Sequence, residues 1–493
     1  MRRPATRAWA LSMLLGACVP QARPGRVEAR VGDLRAAIDS VVAQPAWRNA
    51  HWGLLIVDPA TGDTLYSRNA AKLFMPASNM KLVTGAVALA QLGPDFRFRT
   101  TYARRGSMRG DTLVGDLVVL GRGDPTASDS MRGDALLPLR EAADSLLARR
   151  IRRVRGDVRA EGDAFPDPIH GMGWAWDDFD YAYSAGVDEL MFNEGFSRLT
   201  VRASSDSGAL RVTPAVPYPP VSVSVTRAAP AVPGGAAVVS GVELTWDAEH
   251  DRYRLTGSLA AGDSATMTVA HRDPRTAFLA ALRQAMADRG IAVNRGPAAA
   301  GPLDTLFVTL SPPLRDVLRA MEKPSQNQIA EVLLKTLGLE RTGVGGADSG
   351  RRVVADQLAA WGVAADGFAI ADGSGLSRHN YLTPETIVRV LDAARRDTAF
   401  AVFYDALPVA GVDGTIATRM RGTAAEGNVR AKTGYIDKAR SLSGYATTAD
   451  GRLLIFSMLC NNFTTPVRDV ERVQDAIAAR LAALTLGTGA QRR

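Results

Sequence analysis

The chain has 493 residues, 46% hydrophobic and 22% charged, with a formal charge of +8 at pH 7 and two cysteines. That length exceeds one ordinary domain and can bury a sizeable core, and the composition excludes a globally disordered chain and a disulfide-stapled scaffold. The positive charge is spread without runs of five or six. With neither zinc-ligand spacing nor an aromatic-basic pattern present, no nucleic-acid partner is expected, only a modest bias towards anionic polymers or membrane surfaces.

The first 18 residues, MRRPATRAWALSMLLGAC, have a basic start, a short apolar core and a small-residue end, the pattern of a secretory signal. Leu15-Gly16-Ala17-Cys18 also resembles a bacterial lipobox, which predicts a lipid anchor on Cys18; the plainer alternative is a signal peptide that happens to contain a cysteine. A periplasmic address follows. Val19, rather than an aspartate, after the cysteine favours the outer membrane over the inner. No later apolar run is long enough to span a bilayer. Cys460 lies in an apolar, strand-like run, so no structural disulfide is expected.

A short helix is predicted over 31–42, and His51 to Ser67 reads as a hairpin turning at Asp58-Pro59-Ala60-Thr61-Gly62-Asp63. Met75 to Gly93, MPASNMKLVTGAVALAQLG, reads as a buried helix with Pro76 in its first turn and Gly93-Pro94 at its end. Ser78 and Lys81 stand three apart on one face at its start, as a serine nucleophile with a lysine base would. Alone, Ser-x-x-Lys is a weak signal that an ordinary core helix with a snorkelling lysine also satisfies. Scarcity strengthens it: only Lys72, Lys81, Lys323, Lys335, Lys432 and Lys438 interrupt a basic complement that is otherwise arginine. Lysine can lose its proton near ordinary pH and arginine cannot.

From about Phe96 to about Gly301 the character changes to short β runs, among them Thr112–Leu120, Arg211–Val216, Val221–Thr226 and Tyr253–Leu259. Pro214 to Gly235 reads as edge strands and loops, and Arg275 to Arg289 as a helix leading back out. Helical periodicity returns over Leu314–Met321, Gln328–Leu339 and Gly350–Trp361. Strands follow at Ser441–Thr447 and Arg452–Leu459, then a last helix from Thr465 to Leu484. The expected fold is α/β (α+β): one antiparallel sheet assembled from both ends of the chain and covered by helices. The expected division is a signal over 1–18, a main domain from 30–96 with 302–487, and a β-rich insert over 97–301.

Two further stretches complete a candidate site. Lys323-Pro324-Ser325-Gln326-Asn327 offers a hydroxyl and an amide two apart in a turn before a helix. Arg430-Ala431-Lys432-Thr433-Gly434 enters an edge-strand pattern in which Gly434 admits a substrate backbone closely. The order SxxK, SxN, KTG is far more specific than any of its parts, and it is shared by β-lactamases and penicillin-binding proteins.

With these motifs the chain resembles the class C low-molecular-mass penicillin-binding proteins, the D-alanyl-D-alanine carboxypeptidase/endopeptidases. Asp372-Gly373-Ser374-Gly375-Leu376-Ser377-Arg378, Leu407 to Thr415 and Trp174-Ala175-Trp176-Asp177-Asp178 are similar to landmarks of that family, as is the long insertion between Ser78 and Ser325. Tyr435-Ile436-Asp437-Lys438 departs from the small or hydroxyl residues of many relatives. The resemblance implies a penicillin-binding/β-lactamase-like transpeptidase fold acting on stem peptides that end in D-Ala-D-Ala and acylated by β-lactams, with no cofactor and no metal. It assigns Ser78 as nucleophile, Lys81 as base, Ser325, Asn327 and Lys432 as catalytic partners, and the N–H groups of Ser78 and Tyr435 as oxyanion donors. Lys432, Thr433 and Arg378 are expected to attract the substrate's terminal carboxylate, Gly434 and Tyr435 to lie along the bound substrate, and Asp178 and Tyr183 to form a pocket for the diaminopimelate amine. The alternatives are a serine β-lactamase and a non-hydrolytic wall-binding or β-lactam-sensing protein. His51, His170, His250, His271 and His379 are too scattered for a hydrolase elbow or a metal triad.

Overall fold

The computed structural model describes residues 31–203, 210–214, 218–227, 241–260, 262–294, 296 and 298–486. The signal-like segment with Cys18 and half of the stretch from Pro214 to Gly235 lie outside them. Among the described residues no helix is long and apolar enough to cross a membrane.

Both ends of the chain meet in one five-stranded antiparallel sheet, ordered Arg430–Ile436, Ala439–Thr447, Leu453–Asn461, His51–Asp58, Asp63–Arg68. A local three-stranded meander from the end of the chain and a local hairpin from its start supply its two parts. They join where His51 to Val57 pairs with Asn461 to Ile455, some 400 positions away, a register from His51↔Asn461 to Val57↔Ile455. The period-2 alternation of a strand explains the near-continuous apolar run in His51–Asp58. Leu54 and Ile56 face one side, packed with Leu34 and Ile38 of helix Val31–Val42 and Ile477 and Leu481 of helix Val467–Ala483. Leu55 faces the other, with Val83 and Val87 of helix Met80–Leu92 and Leu391 of helix Pro384–Arg396. Helices therefore cover both faces, and no alternating polar face remains to be read.

The middle of the chain forms three further sheets. Ala292–Asn294, Arg153–Arg155, Thr112–Leu120, Arg99–Arg109 and Asp304–Leu310 lie side by side, and Val158–Ala160 also pairs with Thr112–Leu120. The expected boundary at 301 is therefore corrected: Asp304–Leu310 is an edge strand of this sheet, in register with Arg99–Arg109. Nothing local tells an edge strand which sheet it will complete. The β-rich reading also missed helix Leu137–Ala148, whose Leu139, Ala142, Ala143 and Leu146 recur at helical spacing behind Pro138 in the first turn and pack with Phe278 and Leu282 of helix Pro274–Asp288. Two three-stranded sheets, Val221–Arg227 with Arg252–Leu259 and Gly241–Asp247, and Leu210–Pro214 with Phe196–Ala203 and Ser264–Ala270, bury Val201, Leu255 and Leu259 between them.

This middle region contributes to the main core. Phe165, Val187 and Met191 pack in the same cluster as Ile329, Ala330 and Leu334 of helix Asn327–Thr342. At roughly 1.5–3 kcal/mol for each fully buried large aliphatic side chain, the apolar residues here and in Met80–Leu92 supply the burial against which buried charge is tolerated.

A glycine loop lies against the turn that leads into helix Met80–Leu92. Gly375 has φ +84°, and a Cβ there would lie 1.8 Å from the Ala77 carbonyl oxygen. Ala77 is itself left-handed, with φ 47°. Gly375→Ala should cost more than the roughly 1–3 kcal/mol of a strained backbone, because Ala77 and Ser78 must also shift. The expected result is a fall of several degrees in Tm together with slower acylation of Ser78; a variant with wild-type Tm and reactivity would contradict this contact.

Candidate active site

The Ser78 segment begins as a short 3-10 turn, Ala77–Asn79, rather than as α-helix, and continues directly into Met80–Leu92. One turn on, Lys81 is fully buried. Its amine makes three hydrogen bonds, to Ser78 Oγ (3.0 Å), Asn327 Oδ1 (2.6 Å) and the Ser374 carbonyl oxygen (2.9 Å). Three donors suit an ammonium; once deprotonated, the amine can accept the Ser78 hydroxyl proton while still donating to the other two. Burial holds the Lys81 amine below the usual lysine range, against the pull of Glu322, Asp372 and Glu331 towards the charged form.

Lys432 is the second fully buried amine, donating to Ser325 Oγ (2.7 Å) and the Thr433 carbonyl oxygen (3.0 Å). Burial lowers its proton affinity first, and the charge of Lys81 lowers it further. Because the Ser325 oxygen accepts from Lys432, its own hydroxyl hydrogen is free to donate to another group. The Asn327 amide is committed at both ends, since Nδ2 donates to the Tyr183 carbonyl oxygen (2.7 Å).

These groups meet at a cleft of about 480 Å³ lined by Ser78, Ser325, Asn327, Arg378, Tyr435, Asp178 and Tyr183 among others. Segments from both parts of the chain therefore bring most of the expected residues to one cleft. Asp178 Oδ1 accepts from the Tyr183 hydroxyl at 2.5 Å, beside Trp176, which is 82% exposed. Burial first, and then the Asp178 carboxylate, push the Tyr183 hydroxyl's pKa up. Arg378 donates to the Asp437 carbonyl oxygen (2.9 Å), which fixes its guanidinium at the cleft edge.

Two expectations are corrected. Thr433 is buried and its hydroxyl donates to Thr415 Oγ1 (2.8 Å), and neither it nor Gly434 lines the cleft. The space that Gly434 leaves is taken by the fold itself: a Cβ there would lie 2.1 Å from Ser441 Oγ and 2.6 Å from the Pro76 carbonyl oxygen. Ser441 Oγ donates to that same carbonyl (2.7 Å), so the missing side chain lets the Ser78 turn lie against the strand.

The sequence motifs gave no role to the carboxylates under the site. Asp372 Oδ1 accepts from Gly375 N (2.7 Å) and Asn380 Nδ2 (2.7 Å), and its Oδ2 from Ser377 N (2.6 Å) and the Trp174 indole (3.0 Å). Glu331 accepts from Gly373 N (3.1 Å) and Ser374 N (2.8 Å), so the carbonyl that holds Lys81 belongs to a firmly stapled loop. Glu322 is fully buried with neither carboxylate oxygen hydrogen-bonded, and a Cβ on Gly85 would lie 3.0 Å from its Oε1. Burial raises its pKa, and the charges of Lys432 and Lys81 oppose that rise. A signal was available: Glu322 continues the buried stripe Leu314, Val317, Leu318, Met321 of its helix.

If neutral Lys81 is the base, acylation by a β-lactam should speed up with rising pH and level off once the amine is deprotonated, with its inflection below the usual lysine range. The Glu322 charge favours the ammonium form, so Glu322→Gln should move that inflection to lower pH. Stopped-flow acylation across pH checks both; an inflection that stays in place or moves up removes Glu322 from the electrostatics of the site.

The family model described as D-Ala-D-Ala carboxypeptidase 3 (S13) matches residues 34–484. The chain is 36% identical over 474 residues to the D-alanyl-D-alanine carboxypeptidase of Actinomadura sp. (strain R39), covering 92% of this chain and 85% of that one. It is 27% identical over 413 residues to D-alanyl-D-alanine carboxypeptidase DacB of Haemophilus influenzae, covering 80% and 82%. The crystal structure of penicillin binding protein 4 (dacB) from H. influenzae superposes with a TM-score of 0.74 at 22% identity, over 92% of this chain and 99% of that one, and shares the mixed α/β penicillin-binding fold. The chain belongs to the D-Ala-D-Ala carboxypeptidase 3 (S13) family, and it is a hydrolase.

Proposed function

We propose that the chain is a serine-type D-alanyl-D-alanine carboxypeptidase and endopeptidase that trims stem peptides and cuts D-alanyl cross-links of peptidoglycan. The observation that carries this reading is the buried Lys81 amine 3.0 Å from the Oγ of Ser78, which lines the cleft. Ser78 attacks the carbonyl of the penultimate D-alanine as Lys81 takes its proton, forming an ester to Ser78. The Ser78 and Tyr435 N–H groups receive the developing oxyanion. Ser325, held by Lys432, passes a proton to the departing amine, and Arg378 attracts the terminal carboxylate. Water then hydrolyses the ester. Penicillin enters the same first step, and its adduct is long-lived because the leaving group stays attached.

Purified protein should release D-alanine from a stem peptide ending in D-Ala-D-Ala and carry a persistent penicillin label at Ser78, lost in Ser78→Ala. Rapid drug turnover without a persistent adduct would favour a β-lactamase instead.

Asp178 and Tyr183 form the pocket for the free amine of the diaminopimelate side chain, a carboxylate and ring beside the cleft. A partly desolvated charge-assisted hydrogen bond there is stronger than a surface ion pair. Asp178→Ala should lower kcat/KM for peptides carrying that amine by about tenfold to a hundredfold, with little change for short peptides lacking it or for penicillin acylation. Equal losses on both substrate types would make Asp178 supporting structure only.

The address is periplasmic, with the mature chain beginning at a lipid-modified Cys18 and the outer membrane as host; Leu15 to Cys18 support this. Intact-mass measurement of the mature protein should find a lipidated cysteine at its start, and an unmodified start beyond Cys18 would leave a soluble periplasmic enzyme.

A further inference from the structure

Three consecutive side chains of the SxN loop reach across to the inserted part of the chain. Gln326 Nε2 donates to Glu194 Oε2 (2.8 Å), Asn327 Nδ2 to the Tyr183 carbonyl oxygen (2.7 Å), and Gln328 Nε2 to the Ala182 and Ala185 carbonyl oxygens (3.1 Å each). The first contact is the one between two side chains, and both partners are fixed from behind.

Glu194 is 6% exposed. It lies in a left-handed turn, with φ 47° at Asn193, 57° at Glu194 and 82° at Gly195. Its other oxygen, Oε1, accepts from Ser128 Oγ (2.5 Å) and from Ser130 Oγ. The turn is held by Asn193 N donating to the Ala127 carbonyl oxygen (2.6 Å) and Asp129 N donating to Asn193 Oδ1 (3.0 Å). Two left-handed non-glycine residues in succession persist only where the surroundings over-determine them.

On the other side, Gln326 Oε1 caps helix Asn327–Thr342 by accepting from Gln328 N (2.6 Å), and Gln326 N donates to the Met321 carbonyl oxygen (2.8 Å). Its side chain is thus a strut between Glu194 and the helix start. Ser325, immediately before it, is left-handed with φ 66°, and Asn327, immediately after it, holds Lys81. A shift of this strut displaces both residues at once.

We propose that Glu194 is a positioning residue for catalysis, which acts through Gln326 to hold Ser325 and Asn327 against Lys432 and Lys81. This rests on the catalytic assignments above. It goes beyond them in making the insert necessary for acylation by a molecule that never enters the Asp178 pocket.

Gln326→Glu tests it, because a carboxylate of the same length keeps the capping oxygen but sets like charge against Glu194. Penicillin acylation should slow by about tenfold to a hundredfold, the range for losing a buried hydrogen bond at a positioning group. Glu194→Gln alone should be mild, since its amide can still accept from Gln326 and donate to the serine hydroxyls. The double variant Glu194→Gln/Gln326→Glu restores a donor facing an acceptor and should recover most of the rate. Thermal unfolding of all four proteins separates loss of fold from loss of position. Recovery of the rate in the double variant supports the proposal. A double variant that folds but stays as slow as Gln326→Glu overturns it, as does an unimpaired Gln326→Glu. Wild-type protein that penicillin fails to label would instead sink the catalytic assignments, so the two failures are distinguishable.

Discussion

The interaction on which the rest of the site depends is the burial of one amine, Lys81, within reach of three oxygens, one from its own segment and two from distant parts of the chain. An ammonium without partners in that position would cost far more than the fold can supply, so each acceptor must be held in place by something else. Ser78 is placed by the 3-10 turn that starts its own helix. Asn327 is placed by a helix start capped by Gln326, and the Ser374 carbonyl by a loop whose N–H groups are taken by Glu331 and Asp372. The geometry of the base is therefore a consequence of how three segments are pinned, and any slack in one of them reaches Ser78 through Lys81.

The charges beneath the cleft work in opposition. Burial favours the neutral amines, while Glu322, Asp372 and Glu331 favour the charged Lys81. The charge of Lys81 also disfavours protonation of the buried Lys432. The outcome is a pair of amines that give up protons more readily than surface lysines, which general base catalysis requires. Glycine makes the arrangement possible at two points: Gly375 lets its loop touch the Ala77 carbonyl, and Gly434 lets the Ser78 turn lie on the edge strand.

The inserted sheets are joined to this centre by hydrogen bonds as well as by apolar packing. Asn327 bonds Lys81 through one end of its amide and the Tyr183 carbonyl through the other. Tyr183 in turn reaches Asp178, so the side wall of the cleft and the base share one amide. Mixed ownership of this kind explains why the cleft cannot be assigned to either part of the chain alone.

Read alone, the sequence was sufficient for what is local or periodic. The helix over 31–42, the two hairpins and the three short motifs depend on neighbours a few positions away, and the scarcity of lysine strengthened the motifs that contain Lys81 and Lys432 without any fold. It also passed over local signals, such as the helical spacing in Leu137–Ala148 and the buried stripe that ends at Glu322. Only the tertiary structure decided what depends on partners hundreds of positions apart. It paired Asp304–Leu310 with Arg99–Arg109, turned Thr433 towards Thr415, filled the space at Gly434 with Ser441 and Pro76, and set Glu194 against Gln326. The physical reason is that a hydrogen bond or close contact between distant segments leaves no period, cap or spacing in either segment by itself.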